Sequence, residues 1–139
     1  MNKKTIVLII FLGIAVILSG CGNNPSEEYD LEGTTWELFA FGKTSPLAGS
    51  TITLEFKNSD LNGTGGCNMY QGSYNLNGDL LSIGMLMSTE MACMEPEGLM
   101  EQEQQYLEYL SQAQRIEMQG PQLLIYYSDQ ETLTFNPMN

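Results

Sequence analysis

The stretch from Gly63 to Cys93, GTGGCNMYQGSYNLNGDLLSIGMLMSTEMAC, constrains the fold more than any other part of the chain. Gly63, Gly65 and Gly66 give the backbone access to positive φ, or to a close approach that a Cβ would block. Cys67 follows at once, and Cys93 closes the stretch. Between them Tyr70, Gly72 and Tyr74 alternate with polar residues, the period of a half-buried strand. Asn77-Gly78 then marks a tight hairpin, because both residue types tolerate left-handed backbone angles.

Two motifs lie inside this stretch. Gly63, Gly66, Cys67, Asn68, Tyr70, Gly72 and Tyr74 form GxxGCNxYxGxY, and Ser88, Thr89, Met91, Ala92 and Cys93 form STxMAC. Together they resemble the META domain, also called HslJ-like, and the resemblance extends from Thr35-Trp36 to the last expected strand near Phe135. It implies a compact β-barrel-like domain with one helix. It also implies an envelope setting, since bacterial relatives are envelope lipoproteins linked to heat response and to tolerance of the antibiotic novobiocin. The domain is further likened to secretion pilot proteins. No defined biochemical activity comes with the resemblance.

The N-terminus reads as a leader. Lys3 and Lys4 precede the run Ile6–Leu18, which is apolar apart from Gly13. That length suits a secretory signal and falls short of the about 20 apolar residues that span a bilayer. Leu18-Ser19-Gly20-Cys21 resembles the lipoprotein processing box, so residues 1–20 are expected to be a signal peptide and Cys21 the lipidated residue. The alternatives are an uncleaved anchor or a signal peptide without lipid. All of them place the domain outside the cytoplasm. Residues 21–30, polar and without an apolar period, are expected to tether a domain at 31–139 to the cell envelope. The competing view is that Tyr29 packs on the domain's edge.

The chain carries a net charge of −12, with all 17 acids after the leader and only Lys43, Lys57 and Arg115 opposing them there. Such a surface repels phosphate backbones and anionic headgroups, so no nucleic-acid partner is expected and membrane contact is expected through the lipid anchor. A cation-rich ligand fits this charge; solubility alone also explains it.

The remaining pattern is mostly β. Thr34–Phe41 is rich in strand formers, and Thr51–Lys57 alternates with Ile52, Leu54 and Phe56 on one face. Asn62–Gly65, Gln71–Asn75, Leu80–Ile83, Arg115–Gln119, Leu123–Tyr127 and Thr132–Phe135 complete the expected strands, separated by turn residues. Met85, Met87 and Met91 suit either a soft binding surface or, more commonly, a core. A helix is expected over Pro96–Ala113, opened by proline and favoured at its start by Glu95, Glu97, Glu101 and Glu103. Leu99, Met100, Tyr106, Leu107, Leu110 and Ala113 form its apolar stripe, which Glu103 interrupts. Relatives often carry Glu near this position, and a capping or rim carboxylate accounts for it. The expected fold is a curved antiparallel sheet or partly closed β-barrel of about seven or eight strands with one helix packed on it.

The sequence has no histidine. Ser–His–Asp and Cys–His chemistry and histidine-based zinc sites are therefore excluded. Gly63–Gly66 lacks the GK[ST] of a phosphate loop, and the acids do not follow the calcium-loop pattern. No catalytic residue, cofactor or metal is expected, and the chain is not expected to be an enzyme. Cys67 and Cys93 are the thiols left once Cys21 is lipidated. In an oxidising compartment such a pair suggests a disulfide; two buried thiols acting as small apolar residues is the other possibility. Two functions compete. One is a tethered binding module with an unidentified envelope protein partner. The other is a carrier of a small apolar molecule or lipid inside the barrel.

Overall fold

The structure is a computed structural model that describes residues 29–138. Cys21, the leader 1–20 and the tether up to residue 28 lie outside the described residues. Nine strands and one helix follow in the order β1 (Thr35–Phe41), β2 (Thr53–Lys57), β3 (Asp60–Thr64), β4 (Met69–Asn77), β5 (Leu80–Ile83), β6 (Met87–Ser88), α1 (Leu99–Ser111), β7 (Arg115–Gln119), β8 (Gln122–Tyr126) and β9 (Thr132–Met138). All pairings are antiparallel.

The strands run β3-β2-β1-β9-β8-β7-β5-β4, and β3 pairs with β4, so they form a ring. The β5–β7 join is the thinnest, with the single register pair Leu80↔Arg115. Backbone bonds from Leu81 N to Gln114 O and from Ile116 N to Asp79 O reinforce it. Strand β6 lies against β4 through Tyr70↔Ser88 and Gln71↔Met87.

Local chemistry sets the turns. Asn58 and Ser59 both have positive φ between β2 and β3, the geometry that lets a two-residue hairpin follow the strand twist. Between β4 and β5 the outermost pair is Asn77↔Leu80, so Gly78 and Asp79 make the turn and Gly78 takes the positive φ. Asn77 itself ends the strand.

Alternation delivers the core. In β1, Trp36, Leu38 and Ala40 point inward while Glu37 and Phe39 face out. Leu54, Phe56, Leu61, Leu123, Ile125, Leu133 and Phe135 are fully buried within the ring. Helix α1 adds Tyr106 and Leu110 to the same cluster. Tyr29, at the end of the expected tether, packs against it as well.

Three expectations need correction. Helix α1 starts at Leu99 rather than Pro96, because Gly98 takes a left-handed φ of 86° as the N-cap and Pro96 belongs to the preceding turn. It ends at Ser111 rather than Ala113; Arg115 begins β7 as expected and stacks over the Tyr126 ring. Met85, Met87 and Met91 are exposed rather than in the core. The ring interior is occupied by branched and aromatic side chains from facing strands, and the segment carrying these methionines runs outside it.

Candidate functional site

The GCN motif closes around one side chain of the helix. Glu103 is only 5% exposed, although it carries a carboxylate. Its Oε2 accepts from the backbone N–H groups of Cys67 at 2.9 Å and Asn68 at 2.6 Å. Its Oε1 accepts from Asn68 Nδ2 at 2.7 Å. A buried carboxylate is tolerated when hydrogen bonds replace its lost water, and these N–H groups do so. Glu103 is thus neither a cap nor a rim residue. Its partners lie on a loop 35 and 36 positions away, which its place in the apolar stripe could hint at but not identify.

The glycines permit this contact. A Cβ on Gly65 would sit 2.6 Å from Glu103 Cγ, and one on Gly66 would sit 2.8 Å from Leu99 Cδ1. Gly66 also takes φ 121°, which side chains with a Cβ rarely adopt. Gly63 is a close-approach position, where a Cβ would collide with the Thr53 carbonyl of β2. At Gly72 a Cβ would meet the Leu86 side chain.

Asn68 joins the two motifs. Its Oδ1 accepts from Met91 N at 2.7 Å and from Thr89 Oγ1 at 2.8 Å. Its Nδ2 donates to Met91 O at 3.1 Å as well as to Glu103. The side-chain amide therefore pairs with both backbone groups of Met91, as a neighbouring strand would. Thr89 completes the link by accepting from Met69 N at 3.2 Å. Cys67 and Cys93 are disulfide-bonded, with Cα atoms 5.9 Å apart, and so pin the same segment a second time. The buried-thiol alternative does not hold.

Below the motif, Tyr70 and Tyr106 share a hydrogen bond of 2.7 Å between hydroxyls, and Tyr70 donates onward to Thr53 O. Burial pushes both phenols well above the ordinary tyrosine range, and Tyr106 is raised further by Tyr70 beside it. Tyr74, farther along β4, packs edge-on against Phe56. Gln102, next to Glu103, holds the other flank of the helix by accepting from Leu47 N and donating to Ser50 Oγ.

An open groove of about 520 Å³ lies beside this cluster. Its walls are the segment Ser88–Ala92 on one side and Met100, Gln104 and Leu107 of α1 on the other, with Asn68 and Glu103 in its lining. Every motif residue named above is either in this cluster, in the strands that carry it, or in the disulfide. Among the described residues, no buried side-chain polar atom lacks a partner. The polar groups of the cluster are therefore satisfied internally.

Comparison with known proteins agrees with the motifs. The META domain family model matches residues 29–139. An NMR structure of a protein from Burkholderia xenovorans is 35% identical, covering 78% of this chain and 84% of that one, with a TM-score of 0.65. A second NMR structure is 21% identical over 76% of this chain and 90% of its own, with a TM-score of 0.61. The crystal structure of a DUF4847 family protein from Bacteroides vulgatus is 12% identical over 76% and 93%, with a TM-score of 0.56. The latter two share the fold alone. No functionally curated protein matches the chain.

Proposed function

This chain belongs to the META domain family, and on that premise we propose that it is a non-enzymatic interaction module, held on the outer side of a membrane by lipid on Cys21. The observation that carries this reading is the contrast between inside and outside. The ring interior is packed with fully buried Leu, Ile, Phe and Tyr side chains, while large apolar side chains stand exposed beside the motif. A filled interior supports a module that works through its surface over a carrier that works through a cavity. The leader and Leu18–Cys21 support the anchor, and the acidic body supports a domain held off the bilayer by its tether. The link to heat response or drug tolerance implied by the resemblance belongs to the same proposal.

Two experiments test it. Purification from membranes after mild cross-linking should capture a protein partner; a bound lipid in place of a protein would favour the carrier. Mass spectrometry of the mature protein should find Cys21 as a lipidated N-terminus, and Cys21→Ser should block processing. An unmodified mature N-terminus elsewhere would refute the anchor.

A further inference from the structure

The methionines of this protein are sorted in an unexpected way. The sequence has nine; of the eight among the described residues none is fully buried, and only Met118 packs against the core. Besides Met138 on β9, six of them, Met69, Met85, Met87, Met91, Met94 and Met100, are exposed, with Met85 at 85% and Met94 at 82%. These six fall between β4 and the first turn of α1. Methionine is a flexible filler of irregular cores, so its exclusion from this one and its gathering on one outer region need a cause. An unbranched, polarizable side chain on a surface adapts to a partner's shape.

The groove between Ser88–Ala92 and α1 focuses this feature. Met91 and Ala92 line one wall; Met100 and Leu107 line the other at helical spacing. The backbone under Met91 is fixed by Asn68, and the segment is fixed again by the disulfide, so the wall is rigid while its side chains are adaptable. Glu90 and Glu101 stand in the lining. Between Met87 and Leu110 the sequence has six glutamates and no lysine or arginine. Strand β6, whose Ser88 lines the groove, pairs with β4 and has no strand on its other edge among the described residues.

Apolar walls with an acidic rim select a basic segment that carries apolar anchors, and a free strand edge suits an extended one. A second copy of the chain is repelled by a net charge of −12, and the chain's own segment before Tyr29 carries Glu27 and Glu28 with no cation between Cys21 and Asp30. Building on the interaction-module reading, we propose that this groove docks an extended, lysine- or arginine-rich segment of an envelope protein, with apolar side chains seated on Met91, Met100 and Leu107.

The test uses a short peptide that alternates lysine with valine. One control replaces lysine by glutamate, and another keeps lysine but replaces valine by serine. Methyl resonances of Met91 and Met100 should shift with the first peptide, while those of Met118 and Met138 stay in place. Both controls should bind at least about tenfold more weakly. The double variant Met91→Ser with Met100→Ser should lose about the same factor, and Met138→Ser should lose nothing. These side chains are exposed, so an unchanged circular dichroism spectrum is expected for each variant. Equal binding of the glutamate peptide, equal binding of the serine peptide, shifts spread over distant methionines, or a dimer that closes the groove would each overturn the proposal. Cross-linking in membranes with the double variant separates the two readings. A partner retained by the variant rejects the groove and keeps the module, whereas no partner for the parent protein rejects the module.

Discussion

The ring interior and the motif rim are stabilised by different physics. Inside, Leu54, Phe56, Leu123, Ile125 and Phe135 are held by removal of apolar surface from water, a force without direction. At the rim, residues 88–93 bury little, and directed bonds hold them: the Asn68 amide, the Thr89 hydroxyl and the Cys67–Cys93 bridge. Many residues can serve the first purpose, but few can serve the second. This explains why named residue types in fixed spacing mark the rim, while the core shows only as alternation.

Substitutions can break or sharpen this contrast. The largest effect should come from the interior. Phe56→Ala removes a fully buried ring that packs edge-on against Tyr74, at a cost of about 4 kcal/mol by urea unfolding. A loss below about 1 kcal/mol would mean that the ring is loosely packed. Next comes the bridge. Cys67→Ala with Cys93→Ala should lower stability by about 3 kcal/mol and leave the strand signal unchanged. Free-thiol titration of the unfolded protein should find neither cysteine reactive without reductant; two reactive thiols would remove the bridge from the rim's support.

Asn68→Ala should follow, at about 2 kcal/mol, because it strands the Met91 N–H and leaves Glu103 short of a donor. Amide exchange should quicken at Met91 and not in β8. Equal acceleration in both would merge the two regions into one cooperative unit.

The smallest effect is in alkali. Tyr70 and Tyr106 are raised in the folded protein, so they stay protonated there after the unfolded chain begins to ionise near pH 10.0. Above that pH the unfolded state binds fewer protons, and stability falls as pH rises. The stability is complete below the unfolded value and is lost on approach to the folded one. Each tyrosine should add a slope of up to about 1.4 kcal/mol per pH unit. Tyr106→Phe should flatten the fall in melting temperature, and an unchanged slope would place its hydroxyl in water.

The sequence carried different parts of this structure to different degrees. Alternation marked Ile52, Leu54 and Phe56 correctly, since a strand's period is local. The hairpin turns were visible for the same reason. The start of α1 was not, because Pro96 is acceptable in a first turn and only the left-handed Gly98 shows where the helix begins. Met85, Met87 and Met91 misled because hydropathy gives a residue's preference and not the side of the sheet it meets. Glu103 was placed in the right stripe, but its N–H donors come from a loop that only the tertiary fold brings near. Strand β6, two residues long, is too short to show any period.

The ring's connectivity also sets when the protein can fold. Strand β1 lies between β2 and β9, and β9 supplies the last residues of the sheet. A chain emerging N-terminus first therefore carries one bare side of Thr35–Phe41 until Thr132–Met138 has appeared. Without β9 the interior stays unsealed, since Leu133 and Phe135 belong to the cluster that the other strands of the ring share. Closing the ring therefore waits on a pairing between the first and last strands of the sheet, a contact of high sequence separation. Loss of the final seven-residue strand should thus abolish the fold rather than trim its end.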